Sequence, residues 1–189
     1  MEFVVFTITQ TMAFVAISLT LILLSRRSLR NLRCHGFYRF FAFEGILALL
    51  IINSPYWIAD EYSLAGLLSV LLLFLSLLFV FLGFYLLKSE GGRRDDAINT
   101  ENFEFENTSV LITKGVYHYI RHPMYSSLLL LAWGALLKNI TFTGLVLALA
   151  VSVFLILTAK FEEHENIAFF GVDYQDYMLK SKRFLPFIY

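Results

Sequence analysis

Five apolar runs separated by polar connections account for most of the chain. They cover residues 3–24, 37–58, 64–87, 124–137 and 142–159. A bilayer core of about 30 Å takes roughly 20 helical residues. Four of the runs meet or approach that length. The run at 124–137 reaches only about 21 Å at 1.5 Å per residue. The second run carries Glu44 and Asn53 among its apolar residues, and Glu44 is expected to make an interhelical hydrogen bond. The link at 138–141 is short, so the last two runs should form an antiparallel hairpin. The pattern predicts an all-α, polytopic membrane helical bundle of about five transmembrane helices.

Composition agrees with this pattern. Of the 189 residues 58% are hydrophobic, too many for an ordinary soluble domain. The formal net charge of zero offers no nucleic-acid footprint. One cysteine, Cys34, excludes an intrachain disulfide. The first run has no basic segment ahead of it, and Arg26-Arg27 follow it, so it reads as a retained span rather than a signal peptide. Charge placement sets the topology. Every Lys and Arg except Lys138 falls at the connection after the first run, in the third connection, or in the tail. Basic residues favour the cytoplasmic side. The N-terminus is therefore expected outside, with the third connection and the C-terminus in the cytoplasm.

Two polar clusters then share the cytoplasmic side. Gly115-Val-Tyr-His-Tyr-Ile-Arg-His-Pro-Met-Tyr125 stands just before the fourth run, and Glu162-Glu163-His164-Glu165 follows the fifth. Ionisable groups at the ends of membrane helices are costly and mark functional sites. Proline fits the first turn of a helix, so the fourth helix should start at His122-Pro123 with its N–H groups at the cytoplasmic face. The hairpin would return Glu162-Glu163 beside Arg121-His122. Beyond it, 161–177 reads as one or two amphipathic helices interrupted at Gly171, with Glu162, Glu165 and Asp173 on the polar face.

Several chemistries lack a signature. The chain has no G-x-G-x-x-G, no phosphate-binding G-x-x-x-x-G-K-S/T and no C-x-x-C. His118 and His122 stand four apart, but Pro123 interrupts the helix that would align them, and no metal is expected. His35 and His164 have no useful partner spacing. The mixture of acid, base and aromatic groups suits a small charged cofactor. Its amine or sulfonium would want carboxylates, its carboxylate would want Arg121 or helix N–H groups, and an adenine would want Tyr117, Tyr125 or Tyr174.

Leu-Ile-Thr-Lys-Gly-Val-Tyr-His-Tyr-Ile-Arg-His-Pro-Met-Tyr, residues 111–125, resembles the motif of the isoprenylcysteine carboxyl methyltransferases and their phospholipid methyltransferase relatives. The tail is similar to theirs too, with Glu162-Glu163, Phe169-Phe170-Gly171, Tyr174 and Tyr177, then Leu185-Pro186-Phe187-Ile188. The likeness covers roughly residues 105–188. It implies S-adenosylmethionine as methyl donor, bound at the cytoplasmic face. It implies cofactor contacts at Ser109, Val110, Leu111, Ile112, Tyr117, His122, Pro123, Met124, Tyr125 and Glu162, with a looser match at Asn102. Arg121, His122, Glu162 and Glu163 are the candidate catalytic residues. The prenylcysteine enzymes carry an arginine one turn before the glutamate, and Thr158 stands there in this chain, which argues against a carboxylate acceptor.

The expected protein is a membrane-embedded methyltransferase acting on a lipophilic or small apolar acceptor, a carboxyl, amine or thiol, that enters from the bilayer. Residues 1–88 would form three N-terminal spans. Residues 89–189 would form the catalytic region, with the hairpin and a cytoplasmic C-terminal helix. Two rivals stand beside this reading. One is an NADPH-dependent sterol-type reductase, which carries a similar Arg-His-Pro-x-Tyr segment. The other is a non-catalytic protein that keeps the methyltransferase fold.

The charge asymmetry generates a first prediction. Single cysteines at positions 93 and 61 should differ in intact cells, with position 61 labelled by an impermeant thiol reagent and position 93 protected. The opposite pattern would invert the topology.

Overall fold

The computed structural model of the chain describes residues 7–58, 63–92 and 108–185. Six helices make up the described fold: α1 (Ile8–Ser25), α2 (His35–Ile52), α3 (Leu64–Glu90), α4 (Pro123–Leu136), α5 (Phe142–Phe170) and α6 (Val172–Lys180). Four of them, α1, α2, α3 and α5, are long and apolar enough to cross a membrane, and α4 is a shorter apolar helix. The chain is an integral membrane protein, all-α among its described residues.

Local chemistry sets the boundaries. Thr7 opens α1 with a capping box: Gln10 N–H donates to Thr7 Oγ1 at 3.3 Å, and Thr7 N–H donates to Gln10 Oε1 at 2.9 Å. Ser63 and Thr141 cap α3 and α5 through their side chains alone, accepting from Gly66 and Gly144 N–H. The second predicted run extends to residue 58, but α2 stops at Ile52, and Ser54–Tyr56 forms a 3₁₀ turn. Pro55 explains the early stop, because proline removes a helical donor and disfavours helical geometry in the residue before it. The fifth run ends at residue 159 by hydropathy, and α5 continues as expected to Phe170, with the break at Gly171. Glutamate propagates a helix well, so the change from apolar to polar alters what the helix faces and not its backbone. Gly171 ends α5 with φ 64° and ψ −133°, a combination that favours glycine.

The core is a packed trio. Ala42, Ile46 and Leu49 of α2 meet Ala132, Ala135 and Leu136 of α4 and Ala148, Val151 and Leu155 of α5. Alanine dominates because helices in lipid associate through close backbone approach rather than hydrophobic exclusion of water. Two aromatic stacks tie α2 to α5, Phe41 on Phe154 at 5.3 Å and Tyr38 on Phe161 at 4.6 Å. Most of α1 and one face of α3 leave large apolar side chains exposed, as lipid-facing helices do. Glu44 makes the interhelical bond expected of it, accepting from Ser18 Oγ of α1 at 2.6 Å.

Polar contacts add register. Asn53 Nδ2 donates to Ala135 O of α4 at 2.7 Å. From α3, Ser69 Oγ donates to Gly134 O at 2.7 Å and Ser76 Oγ to Ser127 O at 2.8 Å. A Cβ on Gly134 would stand 3.0 Å from Leu73 Cγ, so the missing side chain lets α3 and α4 close on each other.

Steric fit should therefore outweigh the hydroxyl bonds between α3 and α4. Ser69→Ala and Ser76→Ala should each cost about 0.6 kcal/mol, the average for such bonds in membranes. Gly134→Val should cost about 1–3 kcal/mol through overpacking. Reversible unfolding in mixed micelles measures the ranking.

Candidate active site

The predicted hairpin brings the two polar clusters together. The start of α4 and the far end of the apolar stretch of α5 meet at one end of the bundle, where α6 and the tail close over them. The tail pairs directly with the Tyr-Ile-Arg-His segment. Arg121 N–H donates to Lys182 O at 2.7 Å, His122 N–H to Arg183 O at 3.1 Å, and Lys182 N–H to Tyr119 O at 2.9 Å. Ile120 and Lys182 form a parallel bridge. Ser126 Oγ adds a bond to Phe184 O at 2.8 Å. The 3₁₀ helix Gly115–His118 precedes this segment and starts from Gly115 at φ 58°. Tyr177 of α6 ties it down by donating to Tyr117 O at 2.6 Å.

Glu163 is the electrostatic centre. Its side chain is only 5% exposed, and it receives Arg121 Nε at 2.9 Å, Arg183 Nη2 at 2.6 Å and Arg183 Nε at 3.1 Å. Arg121 also donates through Nη1 to Met178 O at 3.2 Å and to Ser181 O. One carboxylate from α5 thus joins the segment before α4, the end of α6 and the tail. Arginine suits this because its planar fork presents several donors at fixed angles. Glu163 does not line the cavity described next.

Glu162 points the other way. It lines a cavity of about 290 Å³ together with His122, Tyr125, Tyr117 and Arg39. Tyr125 Oη donates to Glu162 Oε2. His122 stacks on Tyr125, ring centroids 5.4 Å apart, with Nδ1 3.8 Å from Glu162 Oε1. His122 Nε2 lies 3.4 Å from Glu163 Oε1 without the alignment of a hydrogen bond. The imidazole is therefore held between the two carboxylates. Burial, with the Glu162 charge second, raises the Tyr117 phenol well above its ordinary pKa. Burial likewise raises Tyr174 and Tyr177. All three remain neutral donors at any working pH.

Of the residues expected to form the site, Val110, Leu111, Ile112, Tyr117, Arg121, His122, Pro123, Met124, Tyr125 and Glu162 line this cavity. Ser109 is held at the end of α3, its N–H donating to Gly91 O at 2.9 Å, and lies outside the lining. Asn102 falls outside the described residues. Thr158 is fully buried and returns its hydroxyl to Phe154 O at 2.7 Å, inside its own helix.

Three contributors were not legible as site residues. Arg39 of α2 lines the cavity, Arg183 completes the Glu163 cluster, and His35 pairs with Glu165 of α5 at 2.8 Å. For His35 and Arg39 a signal was present. Positions 35, 39, 42, 46 and 49 follow helical spacing, and all five are buried.

Residues 64–173, more than half of the chain, match the phospholipid methyltransferase family, and the chain belongs to that family. Among curated proteins it is similar to a methanethiol S-methyltransferase of Crocosphaera subtropica, 29% identical over 76 residues, which are 40% of this chain and 29% of that protein. It is also similar to methanethiol S-methyltransferase 2 of Bradyrhizobium diazoefficiens, 34% identical over 71 residues, 38% of this chain and 27% of the relative. The matched stretch spans less than a third of the length of either relative. No solved structure matches the chain.

The two adjacent glutamates should separate by phenotype. Removing one partner from a buried ion cluster typically costs about 3–5 kcal/mol, because the remaining charges stay buried. Glu163→Ala should destabilise the protein on that scale, and Glu162→Gln should melt near the wild-type temperature. Parallel thermal unfolding of the two variants checks this.

Proposed function

We propose that the protein transfers a methyl group from S-adenosylmethionine to a small apolar thiol. The observation that carries this is the cavity lined by Glu162, His122 and Tyr125, all within the stretch matched to the methyltransferase family. The acceptor class is drawn from the two relatives named for methanethiol. The cavity fits such a donor by its chemistry, since a carboxylate, guanidinium groups, aromatic rings and apolar side chains all line it. When bound, S-adenosylmethionine supplies an electrophilic methyl on a sulfonium and leaves as the neutral thioether.

The chain's own groups have separate tasks in this reading. Glu162, fixed by Tyr125, holds the ammonium of the donor. Tyr117 and the 110–112 segment enclose the adenosine. His122 Nδ1 takes the thiol proton as the sulfur bonds to the methyl carbon, with Glu162 3.8 Å away to balance the imidazolium. Arg121, Glu163 and Arg183 position the segment that carries His122. Most of the acceleration comes from holding sulfur and methyl in line and away from water. Residues 89–189 form the catalytic region, and α2 and α3 lend one wall to it.

The same reading places the cavity at the cytoplasmic face and the N-terminus outside, following the basic residues. It counts α4 as the fifth crossing, so that S-adenosylmethionine arrives from water and the acceptor from lipid.

The test is incubation of solubilised protein with radiolabelled methyl donor, a small alkyl thiol, and a total lipid extract in separate reactions. Label should move to the thiol, and His122→Ala should slow transfer by at least about tenfold. Calorimetry should show His122→Ala and Glu162→Ala each weakening donor binding by about tenfold or more, which is about 1.4 kcal/mol. Label in lipid alone would overturn the thiol assignment. Binding of NADPH in place of the methyl donor would favour the reductase.

A further inference from the structure

Arg39 stands on the core-facing side of α2, lines the cavity, and is only 4% exposed. Arginine keeps its charge at any ordinary pH, so the cavity holds a permanent cation on this wall. Its setting is assembled from two helices. Glu165 Oε1 of α5 accepts from His35 N–H at 3.0 Å, and Glu165 Oε2 faces His35 Nδ1 at 2.8 Å. A carboxylate accepts, so Nδ1 carries the ring proton, and Nε2 offers its lone pair to Arg39 Nη1 at 3.4 Å. The Tyr38–Phe161 stack locks α2 to α5 one residue before Arg39 and one residue before Glu162. A cation from α2 and a carboxylate from α5 thus face the same cavity. Arg121, the other guanidinium among the described lining residues, directs its bonds to Glu163, Met178 O and Ser181 O.

We infer that Arg39 and Glu162 together receive the amino-acid end of the methyl donor, Arg39 taking the carboxylate and Glu162 the ammonium. His35 and Glu165 are positioning residues that aim the guanidinium. The inference rests on the methyl-transfer reading above and adds to it a site on α2, outside the stretch that matches the family. A zwitterion is the ligand that uses both charges, whereas a small apolar acceptor uses neither. The fork of a guanidinium also matches the two oxygens of a carboxylate.

Calorimetry on the full chain in detergent tests this with two ligands, S-adenosylmethionine and its decarboxylated analogue. The wild type should prefer the complete donor by at least about tenfold, the scale of one charge-assisted contact. Arg39→Met should lose that preference and keep the analogue's affinity, which also shows that the cavity is folded. Arg39→Lys should retain part of the preference. His35→Ala and Glu165→Gln should each shrink it without weakening the analogue. An undiminished preference in Arg39→Met, or equal weakening of both ligands, would overturn the assignment and leave methyl transfer standing. A wild type that binds neither ligand would remove the methyl-transfer reading and this assignment with it.

Discussion

Glu163 is a carboxylate sealed inside a membrane protein, and two guanidiniums meet it there. Each charge would be prohibitive alone, and together they satisfy one another with bonds of 2.6–3.1 Å. The cluster matters because of what its members are attached to. Arg121 belongs to the segment that leads into α4, Glu163 to α5, and Arg183 to the tail beyond α6. Helix packing in lipid fixes α4 against α5 through small residues and weak bonds. It does not decide how the extramembrane pieces sit on top. The arginine–glutamate cluster ties them together, alongside the backbone pairing of 119–122 with 182–183.

Neighbouring residues on one helix therefore do opposite things. A helix turns by about 100° per residue, so Glu162 and Glu163 face different surroundings. Glu163 turns toward the arginines and is consumed by them. Glu162 turns toward the cavity and keeps one oxygen for Tyr125 and the other near His122. The imidazole between them is flanked by a carboxylate at each edge, stacked on one face and buried. In the proposed reaction this rigidity is the useful property, because methyl transfer depends on alignment more than on any strong acid or base.

Much of the fold was legible because lipid imposes simple rules. Apolar runs gave the helices, the short link at 138–141 gave the hairpin, and the hairpin gave the meeting of His122 with Glu162. A boundary slipped where local chemistry overrode hydropathy, at Pro55, whereas the polar continuation of α5 and its break at Gly171 were legible. The site was legible wherever its residues lie close in sequence, as in 110–125. Arg183 was hidden because nothing local relates it to Glu163, 20 residues earlier and across a helix break. His35 and Arg39 were hidden for a different reason. Their helical spacing merges with that of the apolar core, and two polar residues at the end of a membrane run look like an interfacial anchor.

The tail's pairing with residues 119–122 also bears on how the protein matures. Synthesis proceeds from the N-terminus, so the apolar helices α1 to α5 precede Arg183 in time. A nascent chain that has inserted its bundle still presents Glu163 and Arg121 without their third partner. The cluster is therefore a late product of biogenesis, completed by residues that follow α6. A chain halted before residue 183 would hold Glu163 and Arg121 on their helices and be unable to complete the cluster.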